Sequence, residues 1–172
     1  MEQAIEFHTF AILVDNEPGV LARVIGLFSG RGYNIESLTV AEVNPDHNIS
    51  RITIVTSGTR MVIEQIKAQL ERLVPVHGVS DLTVQGPHVE RELALVKVVG
   101  TGDKRVESLR IADIFRARVV DSTNESFVFE IVGDTGKLDA FCKLMDPLGL
   151  TSVARTGVAA MSRGTGSMDS LF

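Results

Sequence analysis

Apolar residues along this chain change their spacing in a set order, and that order occurs twice. Glu6 to Val14 is rich in Phe, Ile, Leu and Val and ends at the turn cluster Asp15-Asn16-Glu17-Pro18-Gly19. Val20, Leu21, Val24, Ile25, Leu27 and Phe28 then recur at helical spacing, and Gly30 and Gly32 stop that helix. Tyr33 to Val43 and Ile49 to Thr56 read as strands joined by a turn over 44–48. A second helix, from about Arg60 to Leu73, puts Val62 or Ile63, Ile66, Leu70 and Leu73 on its buried stripe, and Val76 to Val84 closes the unit as a strand. Polar, turn-forming residues from Gly86 to Arg91 read as a linker. The order then restarts. Leu93 to Val99 is a strand, and Val106 to Phe115 is a helix with Val106, Leu109 and Phe115 roughly on one side. Arg118 to Asp121 and Phe127 to Val132 form the middle pair of strands. A helical stripe of Leu138, Phe141, Met145 and Leu148 precedes a last strand around Leu150 to Ala159.

A β-α-β-β-α-β order with right-handed crossovers implies a four-stranded antiparallel sheet with both helices on one face, the ferredoxin-like plan. The expected chain is therefore α/β (α+β), with two such domains at 1–86 and 91–164 and a disordered tail at 165–172. Each sheet leaves its other face bare. In domains of only about 80 residues, covering that face or a strand edge with a second copy is a natural way to bury it, so a homodimer is expected.

Composition removes several function classes. The net charge of −5 offers no general attraction to nucleic acid or to an anionic membrane. With no Trp and one Tyr, the chain has few stacking platforms for single strands, and Arg51-Ile-Thr-Ile-Val55 lacks the aromatics of RNA-binding sheets. No apolar run approaches the roughly 20 residues that span a bilayer. The acidic start is not that of a signal peptide, and one cysteine cannot form an internal disulfide. A cytoplasmic protein is expected.

Catalytic chemistry is hard to find. His8, His47, His77 and His88 stand singly, without metal-ligand spacing, and read as surface or structural residues. Cys142 lies on the apolar side of a helix, where a lone cysteine is a small hydrophobe. Gly133-Asp-Thr-Gly136-Lys137 has the wrong glycine spacing for a phosphate loop, with Leu138 where Ser or Thr should bind magnesium. Gly100-Thr-Gly102 lacks the third glycine of a dinucleotide fingerprint and reads as a strand-to-helix turn. No carboxylates form an evident buried pair for acid–base work. The expectation is no catalytic residue, no metal site and no cofactor on this chain.

Asp15 to Leu21, between the first strand and the first helix, has the chemistry to bind a zwitterion. A helix N-terminus offers free N–H groups and partial positive charge to a carboxylate. Gly19 lets the backbone approach closely, Pro18 pre-sets helix entry, and the Asn16 amide both donates and accepts. The same residues also suit an ordinary cap, with Asn16 as capping residue and Glu17 favouring the dipole. Local chemistry leaves both readings open.

The stretch Asn16-Glu-Pro-Gly-Val-Leu21 at this position resembles the ACT domain, a small-molecule-binding module usually paired with another copy. Arg23 to Ser29, Arg31-Gly-Tyr-Asn-Ile-Glu-Ser-Leu-Thr-Val40, His88-Val-Glu-Arg-Glu92, Lys137 to Phe141, Ala154 to Val158 and Ser162-Arg-Gly164 are similar to the regulatory small subunits of acetohydroxyacid synthase (acetolactate synthase). The resemblance spans residues 7 to 164, in order. It implies a large catalytic subunit as partner, holding thiamine diphosphate, magnesium and FAD, which condenses pyruvate with pyruvate or 2-oxobutyrate on the way to valine, leucine and isoleucine. It also implies that the small subunit activates that partner and confers feedback inhibition by valine. The family's valine contacts fall on Asn16, Gly19 and Asn34, with backbone near Val20, Leu21 and Ile35, in a site shared between two ACT domains. Pro18 stands where some relatives carry Ser, removing one hydroxyl. The rival class is a free-standing sensor of two ACT-like domains that acts on transcription through another protein.

Overall fold

The computed structural model describes residues 4–168, which form two compact units: one up to Val89 joined by the residues from Val158 on, the other Glu90–Gly157. The first unit runs β1 (Glu6–Asp15), α1 (Val20–Arg31), β2 (Asn34–Asn44), β3 (Ile49–Gly58), α2 (Arg60–Glu71), β4 (Val76–Asp81) and a short α3 (Leu82–Gln85). Its sheet is antiparallel in the order β2-β3-β1-β4. Alternation along β1 and β3 sends Phe10, Ile12, Val14, Ile52 and Ile54 to one face. There they meet Val20, Val24 and Phe28 of α1 and Ile63, Ile66 and Leu70 of α2. Each such side chain, taken wholly out of water, contributes roughly 1.5–3 kcal/mol. Thr59 caps α2 by accepting from the Val62 N–H. Gly32 caps the far end of α1, whereas Gly30 lies inside the helix. The expected strand Val76 to Val84 stops at Asp81, because the Asp81 carboxylate accepts the Thr83 N–H and starts α3.

The second unit repeats the plan with β5 (His88–Val99), α4 (Asp103–Phe115), β6 (Arg118–Ser122), β7 (Ser126–Gly133), α5 (Thr135–Met145), a 3-10 turn (Asp146–Leu148) and β8 (Leu150–Arg155). The strand order is β6-β7-β5-β8, again antiparallel. Ala94, Val96, Val98, Phe127, Phe129 and Ile131 pack against Leu138, Phe141 and Met145. The Phe129 and Phe141 rings meet edge to face, 6.0 Å between centroids. The α4 stripe differs from the expected one. Its buried residues are Ser108, Ile111 and Ala112, while Val106 is 67% exposed and Leu109 also faces water. Small side chains at 108 and 112 suit a helix lying close on its sheet, and bulk at 106 does not. Glu92, 6% exposed, receives Nε and Nη2 of Arg155 at 2.8 and 2.7 Å, and Nη1 of Arg155 reaches Asp139 at 2.6 Å. Those bonds hold the Arg155 proton more firmly than usual.

Two boundaries differ from the sequence reading. The expected linker 86–91 is largely strand, since β5 begins at His88. The expected last strand is broken: β8 ends at Arg155, and β9 (Ala159–Ser162) follows after the turn at 156–158 and pairs with β5. Residues from Val158 on lie with the first unit instead of closing the second. Val158 and Ala160 are buried with Ala11 and Leu82, and Val55 and Met168 pack against them. The face of the first sheet away from α1 and α2, expected to be bare, is thus partly covered by the chain itself. Of the tail expected to be disordered, 165–168 are described, with Met168 packed as above, and 169–172 lie outside the described residues.

Candidate effector site

The loop after β1 is built so that α1 starts without help from a side chain. Asn16 donates its backbone N–H to Asn48 at 2.7 Å, and Val20 returns to the Glu17 carbonyl at 3.3 Å. Gly19 is the N-cap, with φ of 87°, a conformation that disfavours any residue with a Cβ. It makes no side-chain cap bond, and the first turn of α1 holds no acid. Among the described residues nothing accepts the N–H groups of Leu21 and Ala22. The ordinary-cap reading, with Asn16 as capping residue, is therefore not what the chain does. The Asn16 amide instead donates to Glu42 of β2 at 3.0 Å. A Cβ built on Gly19 would meet nothing within 4 Å, so there is open space in front of an unsatisfied helix terminus.

The six candidate residues do not come together in one copy. Asn16, Gly19, Val20 and Leu21 cluster in this loop, Val20 buried and Leu21 exposed. Asn34 and Ile35 sit at the start of β2, Asn34 opposite Ser57 and Ile35 packed against the core. Asp15 at the loop pairs with Ile49, at the other end of β3. From Ser57 to Ile49 the separation is roughly 26 Å at ~3.3 Å per residue. Two residues that sequence reasoning missed hold the two amides. Glu42 takes the Asn16 NH2, and Glu36 takes the Asn34 NH2 at 2.5 Å and the Ser57 hydroxyl at 2.8 Å. Because a carboxylate only accepts, each amide must turn its NH2 toward it and leave its carbonyl oxygen for another donor. Glu36 is the extra residue of a β-bulge between Ile35 and Ser37, a property of two strands in register that one strand's sequence does not display.

The other candidates for chemistry are accounted for by packing. Burial raises the Cys142 thiol above its ordinary pKa, which disfavours the nucleophilic thiolate. In the phosphate-loop look-alike, Asp134 caps α5 by accepting the Lys137 N–H, and Lys137 Nζ donates to the Val132 carbonyl. His8, buried, pairs with Asp81 at 2.7 Å and Glu6 at 3.3 Å. This pair walls a cavity of about 450 Å³, also lined by Arg60, Glu64 and Lys67, with Arg60 paired to Glu64 and Lys67 to Glu71. No group of His, Cys, Asp or Glu among the described residues is arranged to hold a metal, and no helix there is long and apolar enough to cross a membrane.

Comparison with known proteins finds two family matches along the chain. Residues 91–164 match the family described as small subunit of acetolactate synthase, and residues 10–78 match the AHAS small subunit-like ACT domain. A probable acetolactate synthase small subunit of Archaeoglobus fulgidus is 49% identical over 157 residues, covering 91% of this chain and 97% of that one. The acetolactate synthase isozyme 3 small subunit of Escherichia coli is 50% identical over 155 residues, covering 90% and 94%. The crystal structure of the acetolactate synthase small subunit from Thermotoga maritima superposes with a TM-score of 0.84 at 38% identity, covering 94% of this chain and 99% of that one.

Proposed function

The chain belongs to the acetolactate synthase small-subunit family, and from that premise we propose that it activates the large catalytic subunit and makes it sensitive to valine. The observation that carries this reading is the uncapped, acid-free start of α1 behind Gly19. The valine carboxylate lies on the free N–H groups of that turn, where helix dipole and donors both favour an anion. The ammonium lies on oxygens such as the side-chain amide oxygen of Asn34, which Glu36 leaves free, and the isopropyl group lies near Leu21 and Ile35.

A second copy completes the site. β2 is an edge of its sheet, with one side unpaired among the described residues. Two β2 edges meeting antiparallel about a two-fold axis set the Asn34 end of one copy beside the Asn16–Leu21 loop of its partner. That pairing joins the two half-sites which one copy keeps at opposite ends. Valine then regulates by binding one arrangement of the dimer better than another, since equal affinity would shift nothing. Acetolactate synthesis itself falls to the large subunit, which would hold thiamine diphosphate, magnesium and FAD; this chain supplies no reacting group. The same reading makes it a cytosolic protein, in keeping with its lone cysteine.

Two assays test it together. The tagged chain should capture the large subunit from solution, which a free-standing sensor would not. Valine should raise the melting temperature of the dimer where alanine and lysine do not, by about 2.7 kcal/mol of stability at a hundredfold excess over Kd. Equal shifts for the three amino acids would remove the sensor function.

A further inference from the structure

β2 is an outer strand of the first sheet, and its ladder with β3 shifts near both ends, between Ile35 and Ser37 beside the candidate effector residues and again between Glu42 and Asn44. Only Asn34 and Ile35 pair with β3 ahead of the first shift, so the ladder holds the start of β2 through a short stretch. Immediately past this bulge, the Ser37 hydroxyl accepts the Val158 N–H at 2.7 Å, and the Thr39 hydroxyl donates to the Val158 carbonyl at 2.9 Å. One residue is thus held through both its backbone polar groups by alternate side chains of β2. On the neighbouring strand, Arg51 Nη2 donates to the Ala160 carbonyl at 2.7 Å. Val158 is 3% exposed and Ala160 6%, so these bonds satisfy groups that water does not reach.

We propose that Ser37 and Thr39 are positioning residues of the effector site. Through Val158 they fix β2 in the register that presents Asn34 and Ile35. The proposal rests on the reading of Asn34 and Ile35 as effector contacts. When the grip is lost, β2 spends part of its time in a register that does not bind, and apparent affinity for valine falls by the fraction that remains competent.

The test uses the full chain with its large subunit and compares the parent, Ser37→Ala/Thr39→Val, Thr39→Val and Thr39→Ser. Three quantities are read: activation without valine, the valine concentration for half inhibition, and amide hydrogen exchange over 34–41. The double variant should activate within about twofold of the parent. Its half-inhibition should shift severalfold upward, within the roughly thirtyfold ceiling set by two hydrogen bonds of ordinary net strength, with faster exchange over 34–41. Thr39→Ser, which keeps the hydroxyl, should keep the parent's midpoint. A merely structural role would lower activation and leave the midpoint in place. A parent-like midpoint in the double variant overturns the proposal, as does a Thr39→Ser defect equal to that of Thr39→Val. If the parent itself ignores valine, the effector reading fails instead; exchange over 34–41 then decides the grip, and an unchanged rate in the double variant overturns it.

Discussion

Gly19 separates a ligand site from a helix start more sharply than any other residue. Its φ of 87° strains any L side chain, although a Cβ would meet no neighbour. Gly19→Ala should therefore cost about 1–2 kcal/mol of stability and keep valine inhibition. Gly19→Asp carries the same strain, partly offset by the helix dipole, and adds a carboxylate where the effector's carboxylate belongs. It should still activate the large subunit while becoming nearly blind to valine, with a melting temperature near that of the Ala variant. Valine titrations and thermal melts of the two variants check this; intact inhibition in Gly19→Asp would place the effector elsewhere. In the second unit, Arg155→Ala strands the buried Glu92 carboxylate and should cost about 2–4 kcal/mol, the exposed part of Arg155 keeping the loss below that of a wholly buried pair. Adding Glu92→Ala should recover part of it. Denaturant unfolding of the two single variants and the double variant measures the coupling.

At the level of elements, what could be read from sequence was what depends on one segment's own periodicity. The apolar run of β1 and the i, i+3, i+7 stripe of α5 sit where they were expected, with Leu138, Phe141 and Met145 all buried. The α4 face was misread because hydrophobicity favoured Val106 and Leu109, while close approach to the sheet favoured Ser108 and Ala112. The turn ending at Gly19 and the helix start at Val20, the loop half of the proposed site, were legible in Asn16 to Leu21. Its supports, Glu36 and Glu42, were not, since they depend on a bulge and on which strand ends lie together. The return of Val158 and Ala160 to the first unit was equally hidden, because small apolar residues there continue a plausible strand. That return has a consequence for fragments. A chain ending at Gln85 keeps the ligand loop but uncovers Ala11 and Leu82, so it should melt at lower temperature and associate more than the full chain, as calorimetry and size-exclusion chromatography would register. A full-length-like melt would make the cover dispensable. Gly149→Ala should unsettle the second unit by roughly 2–4 kcal/mol, since φ is 107° and the new Cβ would sit 1.9 Å from the Val99 carbonyl oxygen.

At the scale of the whole molecule, the proposed regulation involves more than one copy and more than one kind of chain. The first sheet has its helices on one face and its own C-terminal segment over part of the other, and its edges are β2 and β4, of which the proposed dimer uses β2. In the proposed dimer the half-sites at the two ends of β2 make effector binding a property of the pair, so valine should also oppose its dissociation on dilution. The most direct test is acetolactate formation by the purified large subunit, titrated with this chain in the presence and absence of valine. The chain alone should form no acetolactate. Its addition should raise the large subunit's rate, and valine, but not alanine or lysine, should then lower that rate only in the mixture. An unchanged rate up to a tenfold molar excess, or valine inhibition equally strong without this chain, would contradict its role as the regulatory subunit.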